Sequence, residues 1–523
     1  MEYVVALHAF CLILLSVYAC HQAMLLFLYW RTKHNPSSAS ASASATPTLT
    51  THHCSNCSNP PIVTIQIPLF NERFMAERII RAAVAQDYPH DRLHIQILDD
   101  STDDTSQIAQ QIVTQARRKG VAIDHIRRAE RCGYKAGALA AALPLAKGEF
   151  IAIFDADFLP DPGFLRRILL DRRSFDDPCV GFVQTRWDFL NRDVSVLTRA
   201  QAMTLDVHFI IEQPGRNKAG LFMNFNGSGG IWRRGCICDA GGWASDTLTE
   251  DLDLSYRAEI RGWRGVYLED EAAPGELPVD VMAYKRQQAR WARGTWQTVR
   301  KLIPSILRAS FPLKIKLAAW MHLTGYFIHP LILLMTLTTP LLIGASLLGP
   351  RLGPQQTSVP MWVNLISVLS IAPMVSMYVA HRARGRTFWQ FVRDLPEALM
   401  LGVGVSFSNT IAMASALFDK RTGHFLRTPK PGRNVAGHNP GQGAAGAASV
   451  TRRKQFQYRL RPDWTMWCEL GLSLYTAAAL AVILHAGMWA SVGPLALYAL
   501  GFGGVGLTQL SAFFTQYQDR IGS

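Results

Sequence analysis

The distribution of apolar runs restricts this chain more than any other feature. Residues 3–30 form one run, ending in Trp30-Arg31-Thr32-Lys33, and further runs occupy 317–348, 359–381, 396–418, 465–489 and 491–515. Between 61 and 310 there is none. A helix of about 20 apolar residues crosses a bilayer, so the pattern predicts a globular domain inserted between membrane helices. The first run is longer than a signal-peptide core and lacks a clear small-residue cleavage site, so it reads as a signal-anchor helix. Arg31 and Lys33 place its C-terminal end in the cytoplasm, because basic flanks stay on that side.

The same bias sorts the later runs. Arg382, Arg384 and Arg386 follow 359–381, whereas Lys420, Arg421, Arg427, Lys430, Arg452, Arg453 and Lys454 follow 396–418. If 396–418 crossed, one basic set would lie outside. That run also carries Ser406, Ser408, Asn409 and Thr410, so it is predicted to lie in or under the interface without crossing. About five spans remain, with the N-terminus outside and the C-terminus inside. His329-Pro330 and Pro340 are expected to kink a long span. His8 and His21 are expected to be packed and not catalytic. The predicted division is a 1–34 anchor helix, a 35–60 Ser/Ala/Thr/Pro-rich linker, a 61–310 cytoplasmic domain, 311–391 with two spans, 392–464 with an interfacial helix and basic loop, and 465–523 with two spans.

Composition agrees with this division. The chain has 523 residues, 49% of them hydrophobic, and a net charge of +14. Such a charge suits nucleic acid, anionic lipid or a phosphate-bearing substrate. No nucleic-acid motif is present, and basic membrane flanks account for the charge, so a lipid bilayer is an expected partner and nucleic acid is not. The nine cysteines are scattered and odd in number, against a disulfide framework. Cys54-Ser55-Asn56-Cys57, after His52 and His53, has no second pair to complete a zinc site and reads as a linker end.

Within 61–310, strand-like and helix-like stretches alternate. Strands are predicted at 62–67, 94–98, 121–126 and 150–154, with a loop at Pro68-Leu69-Phe70-Asn71-Glu72 and a helix at about 104–119. This alternation implies an α/β fold with a mostly parallel sheet and helices on both faces. Ligands of such sheets bind outside the carboxyl ends of the strands. Asp99-Asp100 and Asp155-x-Asp157 both fall there. Two hard carboxylates in a short loop suit Mg²⁺ or Mn²⁺, although turn-forming aspartates read the same way. Thr249-Glu250-Asp251 opens a helical stretch and could be a simple cap. In Gln287-x-x-Arg290-Trp291 the three side chains share one face if the stretch is helical. Trp296 reads as an interfacial anchor.

In that order these signatures resemble the processive inverting family-2 glycosyltransferases: cellulose, hyaluronan and chitin synthases. The matching residues are Asp99, Asp155-x-Asp157, Thr249-Glu250-Asp251 and Gln287-x-x-Arg290-Trp291. The stretches 183–187, 225–233 and 284–291 are most similar to the cellulose-synthase-like A group, the mannan and glucomannan synthases, and bacterial relatives. The resemblance covers roughly 61–345.

It implies a GT-A nucleotide-sugar-binding domain between the membrane helices. It assigns the nucleotide sugar to Phe70, Glu72, Asp99, Asp100, Lys135 and Asp155, a divalent Mg²⁺ or Mn²⁺ to Asp155 and Asp157, and the acceptor glycan to Asn226, Ser228 and Trp291. Asp251, with Glu250 beside it, becomes the general base, kept ionised by the helix dipole. Arg290 grips the leaving diphosphate, Gln287 hydrogen-bonds sugar or phosphate, and Trp291 offers an apolar plane to the acceptor. The stretch His424-Phe425-Leu426-Arg427-Thr428-Pro429-Lys430 resembles a gating loop, with Arg427 where the family has Val.

The implied activity is polymerisation of a β-linked mannan, glucomannan or glucan from UDP-glucose or GDP-mannose, in a multi-pass protein of the plasma, inner or Golgi membrane. A non-processive enzyme making a ceramide or diacylglycerol glucoside carries the same catalytic set and stays open. A non-enzymatic scaffold or transporter leaves the carboxylates unexplained.

Overall fold

The computed structural model describes residues 1–34, 60–352, 368–418 and 463–521. The linker with Cys54 and Cys57, the start of the 359–381 run, the stretch His424–Lys430 and the Gly/Ala-rich 432–450 lie outside the described residues.

The globular domain is built on a seven-stranded sheet in the order β3-β2-β1-β4-β6-β5-β7. The strands are β1 (Val63–Leu69), β2 (Leu93–Asp99), β3 (Ile123–Arg127), β4 (Phe150–Ile153), β5 (Val180–Phe189), β6 (Gly230–Arg233) and β7 (Arg264–Gly275). All neighbours pair in parallel except β6, which is antiparallel to both β4 and β5. The sheet is therefore mostly parallel, as expected, and GT-A-like, with β6 making it mixed.

Strand alternation supplies two cores. Ile65, Ile67, Ile95 and Ile97 pack under Ile79, Ile80, Ile112 and Val113 on one face. Ile151, Ile153, Phe182 and Trp232 pack against Leu139 and Leu254 on the other. The covering helices follow a 3.6 period: Ala76, Ile79, Ile80 and Ala83 are buried in Ala76–Val84, and Ala109, Ile112, Val113 and Ala116 in Thr105–Arg118.

Pro68 and Leu69, expected in a loop, continue β1. A proline in a central strand usually removes a ladder bond. Here the Phe154 N–H donates to the Gln66 carbonyl at 3.2 Å, so the even-numbered residues of β1 direct their backbone towards β4. β4 has ended before Pro68, and no donor is missed.

Among the described residues, five helical segments have the length and hydropathy of membrane spans: Glu2–Lys33, Gly325–Leu347, Phe388–Phe418, Thr465–His485 and Val492–Phe514. The run 317–348 is not one kinked span. Helix Leu313–Leu323 ends, a 3-10 turn covers Gly325–Phe327, and a new helix runs Ile328–Leu352. Pro330 lies in the first turn of that helix, where a missing N–H costs little, and the helix runs on through Pro340. The described part of 359–381 is a 3-10 turn and the short helix Ala372–Ala383. The stretch 396–418 falls in two helices, Phe388–Gly404 and Ser406–Phe418. The first packs on the globular domain through Phe391, Ala398 and Leu401 against Ala200, Met203 and Tyr284. Arg199 adds ion pairs to Asp394 and Glu397, both at 3.3 Å.

Helix Val281–Arg308, capped by Asp280 on the Met282 and Ala283 N–H groups, joins the domain to the C-terminal helices. The buried Lys285 ammonium lies 2.8 Å from Glu469 and 3.2 Å from Asp463. It also donates to Thr465 at 2.5 Å and to Gln509 at 3.2 Å. Removing one partner of a buried ion pair costs about 3–5 kcal/mol, whereas replacing both is far cheaper. Lys285→Met is therefore expected to lower the Tm of the detergent-purified protein markedly, and Lys285→Met with Glu469→Leu to recover most of that loss.

Candidate active site

A cavity of about 1060 Å³ opens at the carboxyl ends of the central strands and runs on between the membrane helices. It is lined by Phe70, Glu72, Asp100, Lys135, Asp155, Asp157, Asn226, Glu250, Asp251, Gln287, Arg290 and Trp291. Side chains far apart in sequence therefore meet in one space, and the face of Gln287, Arg290 and Trp291 looks into it as the helical spacing required.

Two of the sequence-assigned residues are placed elsewhere. Asp99 is buried behind the strand ends. Its carboxylate accepts from the Ser101 N–H and from His125 Nε2, both at 2.9 Å, and from the Ser106 hydroxyl. Burial pushes its carboxyl up, but the hydrogen bonds from His125, Ser106 and Ser101 outweigh this and hold it at about 2. It braces the β2 end, and the adjacent Asp100 is the residue that faces the cavity, paired with Arg128 at 2.5 Å.

Ser228 is likewise fully buried. Its hydroxyl accepts from the Asp155 N–H at 3.0 Å, and its carbonyl accepts from Trp187 Nε1 at 3.0 Å. It positions the Asp155 loop and touches nothing in the cavity. Gly227 and Gly229 on either side have φ of 78° and 69°, a region that favours glycine.

In the cavity wall the Lys135 ammonium lies 2.6 Å from Asp155 and 3.9 Å from Glu250. It also donates to the Gly227 carbonyl at 2.9 Å. Burial opposes its charge, but Asp155 and Glu250 outweigh burial and raise its pKa. Gly227 is pressed against Asp251: a Cβ there would meet Asp251 Oδ2 at 2.9 Å and Lys135 Nζ at 3.3 Å. Phe70 lies under the Arg131 guanidinium, 3.4 Å from its ring centroid, a cation–π contact.

Glu250 and Asp251 open helix Glu250–Ile260. Thr249 holds the N-cap position but its side chain makes no capping hydrogen bond; its hydroxyl lies 3.3 Å from that of Thr298. The Asp251 carboxylate accepts from the Leu252 N–H at 2.9 Å. Burial and, next, the Glu250 carboxylate push its carboxyl up to about 7, against the smaller pull of Lys135, the Leu252 N–H and Arg290. The expectation that the helix end keeps it ionised is thus corrected: at neutral pH it is poised between its two forms.

The sequence reading missed a polar track leading from the acidic cluster towards the N-terminal helix. Asn226 Nδ2 lies 2.9 Å from His208 Nε2, and His208 Nδ1 lies 3.1 Å from Glu212. Arg216 Nη2 lies 2.9 Å from His21 Nε2. His208, Glu212 and Arg216 recur every four residues, in a stretch that includes the π-helical turn Val207–Glu212, a type of turn common at functional sites. Polar residues at that spacing within Val207-His208-Phe209-Ile210-Ile211-Glu212 were the available signal.

Residues 60–294 match the family described as "Glycosyltransferase like family 2". The chain is 44% identical over 257 residues to glucomannan 4-beta-mannosyltransferase 2 of Arabidopsis thaliana, covering 48% of this chain and 47% of that protein. It is 42% identical over 254 residues to glucomannan 4-beta-mannosyltransferase 1 of Oryza sativa subsp. japonica, covering 47% and 48%. The chain spans about half the length of the curated relatives it matches. Among solved structures it is similar to a mannosyltransferase from Pyrobaculum calidifontis in complex with GDP-Man and Mn²⁺, with 22% identity and a TM-score of 0.49 over 71% of this chain and 98% of that one.

The seat of helix Val281–Arg308 on the 248–249 loop is tight. A Cβ on Gly294 would meet Thr249 N at 2.8 Å and Leu248 C at 2.9 Å. Overpacking of this kind costs about 1–3 kcal/mol. Gly294→Ala is expected to lower the denaturation midpoint accordingly, whereas Gly344→Ala, at an open position, should not.

Proposed function

From the premise that residues 60–294 are a family-2 glycosyltransferase domain, we propose that this protein transfers hexose from a nucleotide sugar onto a growing β-linked glycan of the mannan or glucomannan type. The observation that carries the reading is the position of Asp251: a carboxylate poised near neutrality, in the same cavity as Lys135 and Arg290, a cavity that continues among apolar helices. The glucomannan mannosyltransferase names of the relatives support the product class. GDP-mannose and UDP-glucose are the donors to test.

The reaction is one in-line displacement. The acceptor hydroxyl oxygen forms a bond to the anomeric carbon as the bond from that carbon to the diphosphate oxygen breaks. The acceptor proton passes to an Asp251 oxygen, and the electron pair leaves with the nucleoside diphosphate. A base with a pKa near working pH is the most effective. Arg290 and Lys135 counter charge on the departing diphosphate, and Arg290 can grip its oxygens bidentately. Trp291 offers an apolar plane to the acceptor ring.

Asp155 and Asp157 fit a divalent Mg²⁺ or Mn²⁺. Both follow β4 and line the cavity. An open two-carboxylate set leaves coordination places for water and phosphate oxygens, as these hard cations require. Bound there, the ion would neutralise diphosphate charge. The basic flanks support a cytoplasmic position for the domain, and the packing of helix Phe388–Gly404 on that domain supports an interfacial position for the helix. The cavity's extension among the apolar helices is the exit route for the product.

Asp251→Asn is expected to lower transfer by about 10²–10⁴-fold while leaving expression intact. Because the unprotonated carboxylate is the active form and its pKa is raised, the rate should fall as pH drops through about 7 and level off above it. A profile flat from pH 5 to 8 would exclude Asp251 as the base. With labelled donor, the product should be an ethanol-insoluble polymer cleaved by β-mannanase or β-glucanase. Label that partitions wholly into the lipid extract would establish a glycolipid synthase instead.

A further inference from the structure

Two cations have a claim on Asp155. Its carboxylate, with that of Asp157, fits a divalent metal, and the Lys135 ammonium lies 2.6 Å from its Oδ1.

The ammonium is fixed beside this carboxylate. Lys135 donates to the Gly227 carbonyl at 2.9 Å and lies 3.9 Å from Glu250. Ser228, next to Gly227, accepts from the Asp155 N–H at 3.0 Å, so the turn that holds the ammonium also holds the carboxylate. Asp155 is nevertheless open to solution: its side chain is 32% exposed and lines the cavity. An ion that reaches it meets a positive charge already in place. Two cations at one carboxylate repel, and a partly buried setting screens that repulsion poorly.

We propose that Lys135 and the divalent cation are rivals for Asp155, and that a nucleoside diphosphate decides between them by drawing the ammonium onto its phosphate oxygens. This rests on the transfer reading above. An ammonium is a compact charge on a flexible four-carbon stem, with three donors. It can turn from Asp155 to an anion in the same cavity and keep the Gly227 carbonyl. Without the diphosphate, Lys135 neutralises Asp155 and a metal gains little there. With it, Asp155 is released, and phosphate oxygens add the hard ligands that such a cation requires. Metal and nucleotide then bind as a unit, and each tightens the other by the same factor. When the diphosphate leaves, the ammonium returns to Asp155 and the metal loses its place. Lys135 is in this way a positioning residue for the metal as well as a counter-charge to the diphosphate.

The test reads Mn²⁺ uptake and not turnover. Full-length protein in phosphatidylcholine nanodiscs is titrated with Mn²⁺, and the free ion is followed by electron paramagnetic resonance, without nucleotide and with saturating GDP or UDP. Without nucleotide, wild type should take up no more Mn²⁺ than Asp155→Asn. One of the two nucleotides should open a difference between them. Lys135→Met should bind Mn²⁺ without nucleotide about ten-fold or more tightly than wild type, within the usual range of coupling between sites. The nucleotide should then tighten Mn²⁺ less than it does in wild type. A Tm close to that of wild type verifies folding, and should Lys135→Met not fold, the comparison with Asp155→Asn decides alone. Nucleotide-free wild type that binds Mn²⁺ through Asp155, or as tightly as Lys135→Met, overturns the rivalry. Uptake that never depends on Asp155 overturns the rivalry and the metal assignment together. Failure of the parent reading shows differently: nucleotide-dependent Mn²⁺ uptake through Asp155, without hexose transfer from GDP-mannose or UDP-glucose, supports the rivalry and refutes the enzyme.

Discussion

The site depends on one buried ammonium. Asp155 follows β4, Gly227 precedes β6, Glu250 opens the helix that carries Asp251, and Lys135 reaches all three. Without a cation among them, Asp155, Glu250 and Asp251 would crowd like charges into a poorly solvated space. With it, each segment is drawn to one point. Lys135 sits in helix Tyr134–Ala142, which enters through the left-handed Gly133 and Tyr134. The bend turns the start of that helix, and with it the ammonium, towards the strand ends.

Helix Val281–Arg308 brings the remaining groups to that point by being held at two places. Gly294 allows its backbone to rest on the 248–249 loop beside the acidic pair. Lys285, nine residues earlier, is gripped by the C-terminal helices. Gln287, Arg290 and Trp291 lie between these two contacts. The position of the catalytic face thus depends on membrane-embedded packing as well as on the globular domain. A buried Glu469 in an apolar helix is costly there, and its pairing with Lys285 is what makes that helix and the catalytic helix one unit.

How much of this was legible in the sequence follows from the range of each signal. The β–α alternation, the carboxylates at strand ends and the helical spacing of Gln287, Arg290 and Trp291 are local patterns, and the fold keeps them. Asp99 and Asp100 show the limit: adjacent residues of a strand face opposite ways, so only one of the pair can reach the cavity, and burial chose Asp100. The resemblance made Ser228 a contact residue, yet the turn points its hydroxyl at the backbone of Asp155. Pro68 read as loop because its tolerance depends on where a neighbouring strand stops. The pairing of His21 with Arg216 joins residues 195 positions apart, and no local pattern announces such a contact.

The Asp251 carboxyl shows how magnitudes decide between opposing effects. A helix N-terminus favours a carboxylate by about 0.3–1 kcal/mol at an exposed site. Withdrawal of a carboxylate from water costs several kcal/mol even after relaxation, and the Glu250 charge adds to it. Sequence displays the helix end but not the depth of the cavity, so reading from sequence favours the weaker effect. Asp99 ends at the opposite extreme although burial pushes its carboxyl up as well. It accepts hydrogen bonds from Ser101, Ser106 and His125, whereas Asp251 accepts from the Leu252 N–H and otherwise faces the cavity. One aspartate is fixed as an anion to brace a strand end; the other is left able to take up a proton.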